Sequence, residues 1–228
     1  KRPSNPVGGL SYINNQFDQG VDYLYDLGID YFISYTKEIE SKAMNSDRLT
    51  FLFSSEPFSV FEVKSSKVEL IYQDIDVFSK VNKQEGILSS VFRDTNIINF
   101  FQKAYENFDE LDKKRVVEVS NKILLEPSKK KNLKVTELQI TNKKITFFTN
   151  NPGELHLIKV SYFPNWSIAN GLGPFRTSPS FMSVIPNQEY VEINFEKTPL
   201  EKNSFYFSIF SLLLSLLIFI KSRNVEKT

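Results

Sequence analysis

The 228-residue chain contains no cysteine and a single histidine, His156. Without thiols there is no disulfide framework, no thiolate nucleophile and no cysteine-based metal site, and one imidazole cannot build a multi-histidine zinc centre. Glycine (8) and proline (10) are too scarce for a collagen-like or low-complexity chain. An excess of one charge is also missing. The 28 Lys+Arg against 27 Asp+Glu leave a formal net charge of +1, so no global field gathers nucleic acid. No phosphate loop, GxGxxG, GxSxG elbow, EF-hand loop or HExxH pattern occurs. The residues therefore point to no cofactor, no metal, no nucleic-acid partner and no nameable catalytic group.

What is present is apolar and aromatic. Hydrophobic residues make up 41% and aromatic residues 14% of the chain, with 21 Phe, ample for a folded core. Only three alanines occur (Ala43, Ala104, Ala169), a bias that speaks of codon composition and not of function. The chain starts at Lys1 with no signal-like stretch beside it and reads as a fragment or processed chain. The lack of cysteine fits an extracytoplasmic domain.

The strongest single signal is the run Phe205 to Ile220 (FYFSIFSLLLSLLIFI), free of charge and bracketed by Lys202 and Lys221. At 1.5 Å per residue it covers about 24 Å, and snorkelling lysines extend that toward a hydrocarbon core of about 30 Å. Its twelve Leu, Ile and Phe residues sum to about −4 to −7 kcal/mol for insertion. Apolar residues cover every face, which argues against a buried core helix with one apolar stripe. The basic tail, with Lys221, Arg223 and Lys227, belongs in the cytoplasm by the positive-inside rule, and everything before about residue 200 then lies outside.

Periodicity gives the remaining organisation. Phe17, Val21, Leu24 and Leu27, closed by Gly28, predict a short helix over 16–27. A buried strand follows at Ile29 to Tyr35, then a helix capped by Thr36 and strands at Leu49 to Phe53 and Phe58 to Val63 around the turn SSEP. Ile97 to Leu111, capped by Asp94 or Thr95, reads as another helix, and Asp109 to Arg115 as a polar connection. PSKKKNLK, 127–134, reads as a linker. Beyond it VTELQI, KITFFT, ELHLIKVSYF, FRTSPSFMSVI and YVEINFE are five strands divided by turns, and GLGPF at Gly171 to Phe175 is a loop. The expected fold class is α+β. A small N-terminal α/β unit (1–126) and the linker (127–134) precede an antiparallel, jelly-roll-like β-sandwich (135–200), a transmembrane helix (203–221) and a basic tail (222–228).

Few residues invite chemistry. In ELHLIKVSYF, alternation puts Leu155 and Leu157 on one face and His156, Ile158, Val160 and Tyr162 on the other, so His156 reads as a packed structural histidine. The pairs Asp74/Asp76 and Glu192/Glu196 could share a sheet face as glycosidase carboxylates do, although surface charge explains them as well. Asn165-Trp166-Ser167 matches a glycosylation sequon by accident. Trp166, the only tryptophan, reads either as a core anchor or, with Tyr162 and Arg176, as a stacking and hydrogen-bonding platform for a glycan.

The order of a strand, FPNW, a Gly-rich loop, SPSFM-V-P, a V-I-F strand, TP and an apolar helix resembles a known arrangement. It is similar to the C-terminal extracytoplasmic region of large multi-pass bacterial membrane proteins of the glycosyltransferase C class, YfhO-like ones included. FDQGVDYLYDLGIDYFISYTKEIESKA followed by EPFSVFEV resembles the helix, LG-(V/I)-x-Y-(F/Y) strand and aromatic hairpin that such proteins place after their membrane bundle. The resemblance implies a non-catalytic outer domain, in the cell membrane, of an enzyme that moves sugar from a polyprenyl-phosphate donor to an envelope glycan or lipid. The family's catalytic acid lies in an early loop of the bundle, and no position here corresponds to it. The implied partners are membrane lipid, polyprenyl-phosphate sugar and a glycan acceptor. The alternatives are a single-span surface protein that binds carbohydrate or protein without enzyme activity, and, more remotely, a hydrolase using paired carboxylates.

Overall fold

The computed structural model describes residues 16–79, 99–100, 103–104, 114–119, 125–129 and 132–225. Helix α1 (Phe17–Asp26) ends where the sequence places its stop. Gly28 adopts φ +64°, its N–H donates to the Tyr25 carbonyl, and the Ile29 N–H reaches back to the Leu24 carbonyl. That pair of bonds is a Schellman closure, for which a residue without Cβ is favoured. Strand β1 (Tyr31–Ser34) and helix α2 (Lys37–Met44) follow, with the Thr36 hydroxyl accepting from the Ile39 N–H as N-cap. Strands β2 (Leu49–Ser55) and β3 (Phe58–Val63) complete a three-stranded sheet in the order β1-β3-β2.

One face of this sheet packs Phe61, Val63 and Leu49 against Val21 of α1 and Ala43 of α2. Among the described residues nothing covers its other face. Tyr31, Ile33 and Tyr35 stand exposed on β1 and beyond it, beside Phe53 and Phe58, with Tyr35 and Phe58 ring to ring at 5.7 Å. The segment 29–35, expected to be buried, is thus an edge strand burying mainly Ser34, with Phe32 half-buried. Seven residues rich in Tyr, Phe and Ile suggest burial on both sides, but the described helices cover only one.

The other strands form two larger sheets. After β4 (Val68–Leu70), β5 (Asp74–Ser79) and β6 (Lys114–Val119) come β7 (Val135–Ile140), β8 (Lys144–Thr149), β9 (His156–Ser161), β10 (Trp166–Ile168), β11 (Gly171–Thr177), β12 (Phe181–Pro186) and β13 (Tyr190–Phe195). A four-stranded sheet runs β10-β13-β8-β7 and a six-stranded sheet β4-β9-β12-β11-β6-β5. All described pairings are antiparallel except β5 with β6. The fold is α+β, β-rich and mostly antiparallel.

One core cluster draws Ile145, Phe147, Val191 and Ile193 from the four-stranded sheet and Ile158, Met182 and Val184 from the six-stranded one. Leu155, Leu157, Val117 and Phe181 bury the opposite side of the larger sheet. Strand β9 is therefore covered on both faces, as the alternation about His156 requires. The boundary expected at 127–134 does not separate the sheets, because β4, β5 and β6 lie in the same sheet as β9, β11 and β12. Within that segment Ser128 is buried and its N–H donates to the Ile71 carbonyl, which makes it part of the packed body. GLGPF, expected as a loop, begins strand β11. Its pairing with β12 shifts register between Leu172 and Phe175, and a Cβ on Gly171 would sit 2.4 Å from the Ile185 carbonyl oxygen. FRTSPSFMSVI, expected as one strand, is divided between β11 and β12.

Residues 99–100 and 103–104 are helical, and Phe100 and Ala104 bury against Val116 and Phe78. The cap expected at Asp94 or Thr95 and the connection 109–113 lie outside the described residues. Arg115, assigned to that connection, is on β6.

Helix α3 runs 27 residues, Pro199–Val225, with side chains described from Leu200 to Leu216. It opens with a capping box. The Thr198 hydroxyl accepts from the Glu201 N–H at 3.2 Å, the Glu201 carboxylate accepts from the Thr198 N–H at 2.6 Å, and Pro199 takes the first helical position. Every described side chain of α3 is exposed. Among the described residues no helix is long and apolar enough to cross a membrane.

The closure at Gly28 can be tested directly. A Cβ there would lie 2.8 Å from Cβ of Lys159 on β9, in a backbone conformation that costs an L-residue about 1–2 kcal/mol. Gly28→Ala is expected to lower unfolding stability by about 2 kcal/mol or more in denaturant titration, and a loss under about 0.5 kcal/mol would show that this packing is not a constraint.

Candidate functional site

A cleft of about 600 Å³ opens between the C-terminal turn of α1 and the edges of the two larger sheets. Tyr25 and Asp26 close one side, Glu69 on β4 and the following Tyr72 and Gln73 form the floor and mouth, Arg115 of β6 lies at depth, and Leu133 and Val135 bring in the start of β7. The Schellman turn positions Asp26, because it fixes the last residue of α1 against β9.

Lys159 is the electrostatic centre beneath the cleft. Its side chain is fully buried, its ammonium donates to Glu69 Oε1 at 2.7 Å and to the Tyr25 carbonyl at 3.1 Å, and it lies 4.8 Å from the centre of the Tyr25 ring. A cation at a helix C-terminus interacts favourably with the helix dipole. Lys67 adds a second such contact through the Gly28 carbonyl and pairs with Asp30 at 2.7 Å. Burial pulls the Lys159 ammonium below its ordinary pKa, against the opposing pull of Glu69.

Asp26 is unlike the other acids. Burial pushes its carboxyl above the usual aspartate range, Glu69 adds to the shift, and Lys159 and Arg115 oppose it without cancelling it. It stands at the negative end of α1, where a carboxylate is least favoured. Its place on the cleft with a raised pKa makes Asp26 the candidate there for binding or proton chemistry.

The residues singled out from sequence lie elsewhere. Tyr162 and Arg176 do come together: the guanidinium sits 4.9 Å from the Tyr162 ring centre and 5.4 Å from that of Phe100, and it pairs with Glu118 at 3.1 Å. Trp166, on β10, is 8% exposed and stacks edge-on against Phe195 at 5.0 Å, within the core cluster that Tyr162 also borders. Ring faces and charge here are engaged by the protein itself. Asp76 pairs with Lys103 at 2.8 Å and Lys114 at 3.4 Å, and hydrogen bonds from these two lysines carry its carboxyl below its ordinary pKa although burial acts the other way. Glu192 pairs with Lys144 at 3.0 Å and accepts from Asn194, which lowers its pKa in turn. Glu196 faces Lys202 at 3.9 Å. Asp76 and Glu192, held this way, are poor proton donors.

His156 is fully buried. Its Nδ1 donates to the Glu154 carbonyl at 2.8 Å, which leaves Nε2 to accept from the Thr149 hydroxyl at 2.8 Å. Burial depresses its pKa. It is a hydrogen-bonded structural histidine, as its place among apolar neighbours suggests.

The sequence reading missed Asp26, Glu69 and Tyr72. The alternation of KVEL, with Val68 and Leu70 inward and Glu69 outward, was the available signal for β4. The set converges only through the Gly28 turn and the β4–β9 pairing, which brings Leu70 opposite His156. No family model, curated protein or solved structure matches this chain.

Two pH signatures follow. With its folded pKa raised, Asp26 contributes stability that is present below about pH 3.9 and lost as pH rises through the folded value. Asp26→Asn is therefore expected to raise Tm at neutral pH, with the gain vanishing in acid; an unchanged or lowered Tm at pH 7 contradicts the burial argument. His156 acts in the opposite sense. The unfolded chain takes up a proton near pH 6.5 that the folded one refuses, so stability falls as pH drops below about 6.5, by at most about 1.4 kcal/mol per pH unit. Denaturation between pH 7.5 and 5 should show that slope in the parent chain and a shallower one in His156→Gln.

Proposed function

We propose that this chain is a membrane-anchored outer domain, with α3 as its span, serving a multi-pass envelope glycosyltransferase of the kind its sequence resembles. In this reading it binds glycan or lipid-linked sugar at the membrane surface and does not make or break the bond. The two larger sheets then form a jelly-roll-like β-sandwich seated above the bilayer.

The observation that carries the reading is the exposure of α3. Nine large apolar or aromatic side chains between Phe205 and Leu216 are open to solvent, Phe207 at 76%. At roughly 1.5–3 kcal/mol per buried side chain, about 14–27 kcal/mol goes unrealised in water. No chain of marginal stability leaves that much apolar surface uncovered without a partner phase. The described side chains, 200–216, are too short a stretch to cross by themselves, and the apolar sequence continues through Ile220 in the same helix, which with the flanking lysines supplies the remaining length. Two serines in the run also suit hydrocarbon, since the Ser208 and Ser215 hydroxyls donate to the Ser204 and Ser211 carbonyls, each at 2.9 Å. Lys197, 5.3 Å from the Phe205 ring, lies where an interfacial cation belongs.

Membranes from cells producing the protein should retain it through alkaline carbonate extraction and release it only with detergent. Because the chain is free of cysteine, single substitutions report its orientation cleanly. An impermeant maleimide should label Lys143→Cys, in the β7–β8 turn, from outside, and Ser222→Cys only after permeabilisation. A chain that is extracted by carbonate and stays monodisperse without detergent would eliminate the proposal.

A further inference from the structure

We infer that the cleft beside Asp26 is a binding site for a neutral saccharide unit, its hydroxyls hydrogen-bonded to Asp26 and Glu69 and its ring face stacked on Tyr72. This deepens the glycan-binding part of the reading above and rests on it.

Three features select the ligand class. The first is charge. Two carboxylates, Asp26 and Glu69, are set against two buried cations, Arg115 and Lys159, so the local charges cancel and a ligand ion of either sign gains little net attraction. The second is unused hydrogen-bonding capacity. Among the described residues Asp26 makes no hydrogen bond or ion pair, yet it is partly withdrawn from water and opens on the cleft. A carboxylate so placed wants donors that bring no counter-charge, and vicinal hydroxyls supply them in pairs. The third is the aromatic inventory. The Tyr25 ring already has Arg48 at 4.5 Å and Lys159 at 4.8 Å from its centre, whereas Tyr72, 44% exposed at the mouth, stacks on no ring or cation among the described residues. A flat apolar face beside carboxylate acceptors matches a pyranose, which presents C–H groups on one side and hydroxyls at its rim. About 600 Å³ holds one to three such rings.

The test uses the detergent-solubilised full chain, titrated calorimetrically with cellotetraose, the tetramer of N-acetylglucosamine, and tetragalacturonate as an anionic comparator. At least one neutral tetrasaccharide should bind, and tetragalacturonate should bind at least ten-fold more weakly. Asp26→Asn and Tyr72→Ala should each weaken the neutral ligand at least ten-fold, while Tyr190→Ala, on the four-stranded sheet, leaves it unchanged. Asp26→Asn is expected to raise thermal stability, so its lost binding will not reflect misfolding. Neutral binding that both cleft variants leave intact would overturn this site but keep the glycan-binding reading. Stronger binding of tetragalacturonate would overturn the neutral assignment. Binding of none of the three would remove the cleft and the glycan-binding clause together, leaving membrane anchoring to the extraction assay.

Discussion

A single buried ammonium organises the junction on which the rest of the molecule depends. Lys159 belongs to β9, a strand covered on both faces, and its charge can be kept there only if something compensates it. Glu69 supplies an anion from β4, and the last turn of α1 supplies a carbonyl and an aromatic ring. Three segments far apart in sequence are thereby held in one arrangement. Replacing the set with apolar side chains of equal volume would fill the space as well, but would not specify where α1 ends relative to β9. The neighbouring carboxylate of Asp26 is raised in pKa by the same exclusion of water that makes the lysine need its partners.

Much of the fold was legible because it is local. Gly28 after an apolar 3.6-period, Thr36 three residues before Ile39, and the alternation in KITFFT and YVEINFE each encode their element within a few residues, and the structure follows them closely. The errors share a cause of the opposite kind. GLGPF carries two glycines, which locally favour a loop, but they are where β11 comes close to the Ile185 and Ser183 carbonyls of β12. PSKKKNLK looks like a linker by charge, yet Ser128 is tied to Ile71 on the chain's first half. Strands β4, β5 and β6 are short and flanked by acids and lysines, so their pairing with later strands leaves little local trace.

The candidate site was illegible for the same reason. Tyr162, Trp166 and Arg176 attracted attention as conspicuous residue types close together in sequence. Being large and amphipathic, they satisfy one another or the core: Trp166 packs on Phe195, and Arg176 is held between Glu118, Phe100 and Tyr162. Asp26 is one of many acids, and nothing in YDLGID separates it from Asp22 or Asp30. What separates it is that, among the described residues, its carboxylate has no hydrogen-bond or ion-pair partner. Asp22 has Arg48 at 2.9 Å and Asp30 has Lys67 at 2.7 Å, whereas the nearest cations to Asp26 are committed to other groups. Asp26 stands out as a candidate by the interactions it lacks among the described residues, and that becomes visible only when the other side chains have been placed.

The proposed span and the proposed glycan cleft rest on the same logic at different scales. Among the described residues nothing covers the apolar side chains of α3, and none hydrogen-bonds the Asp26 carboxylate. The first mismatch is large and non-directional, so a fluid apolar phase would resolve it. The second is small and directional, and one ligand with hydroxyls at defined angles would resolve it. The Thr198–Glu201 capping box joins the two, since Asn165 from the turn before β10 also donates to the Glu201 carboxylate at 2.8 Å. Glu201 thereby fastens the first turn of α3 to the β-rich body, and hydrogen bonds from Thr198 hold its carboxyl below the ordinary pKa, so the attachment persists at neutral pH and loosens only in acid. If α3 is the span proposed above, this fastening would limit the orientations in which the β-rich body can lie on a bilayer, and the proposed cleft would meet membrane-bound glycan over a narrower range of angles than one on a free tether.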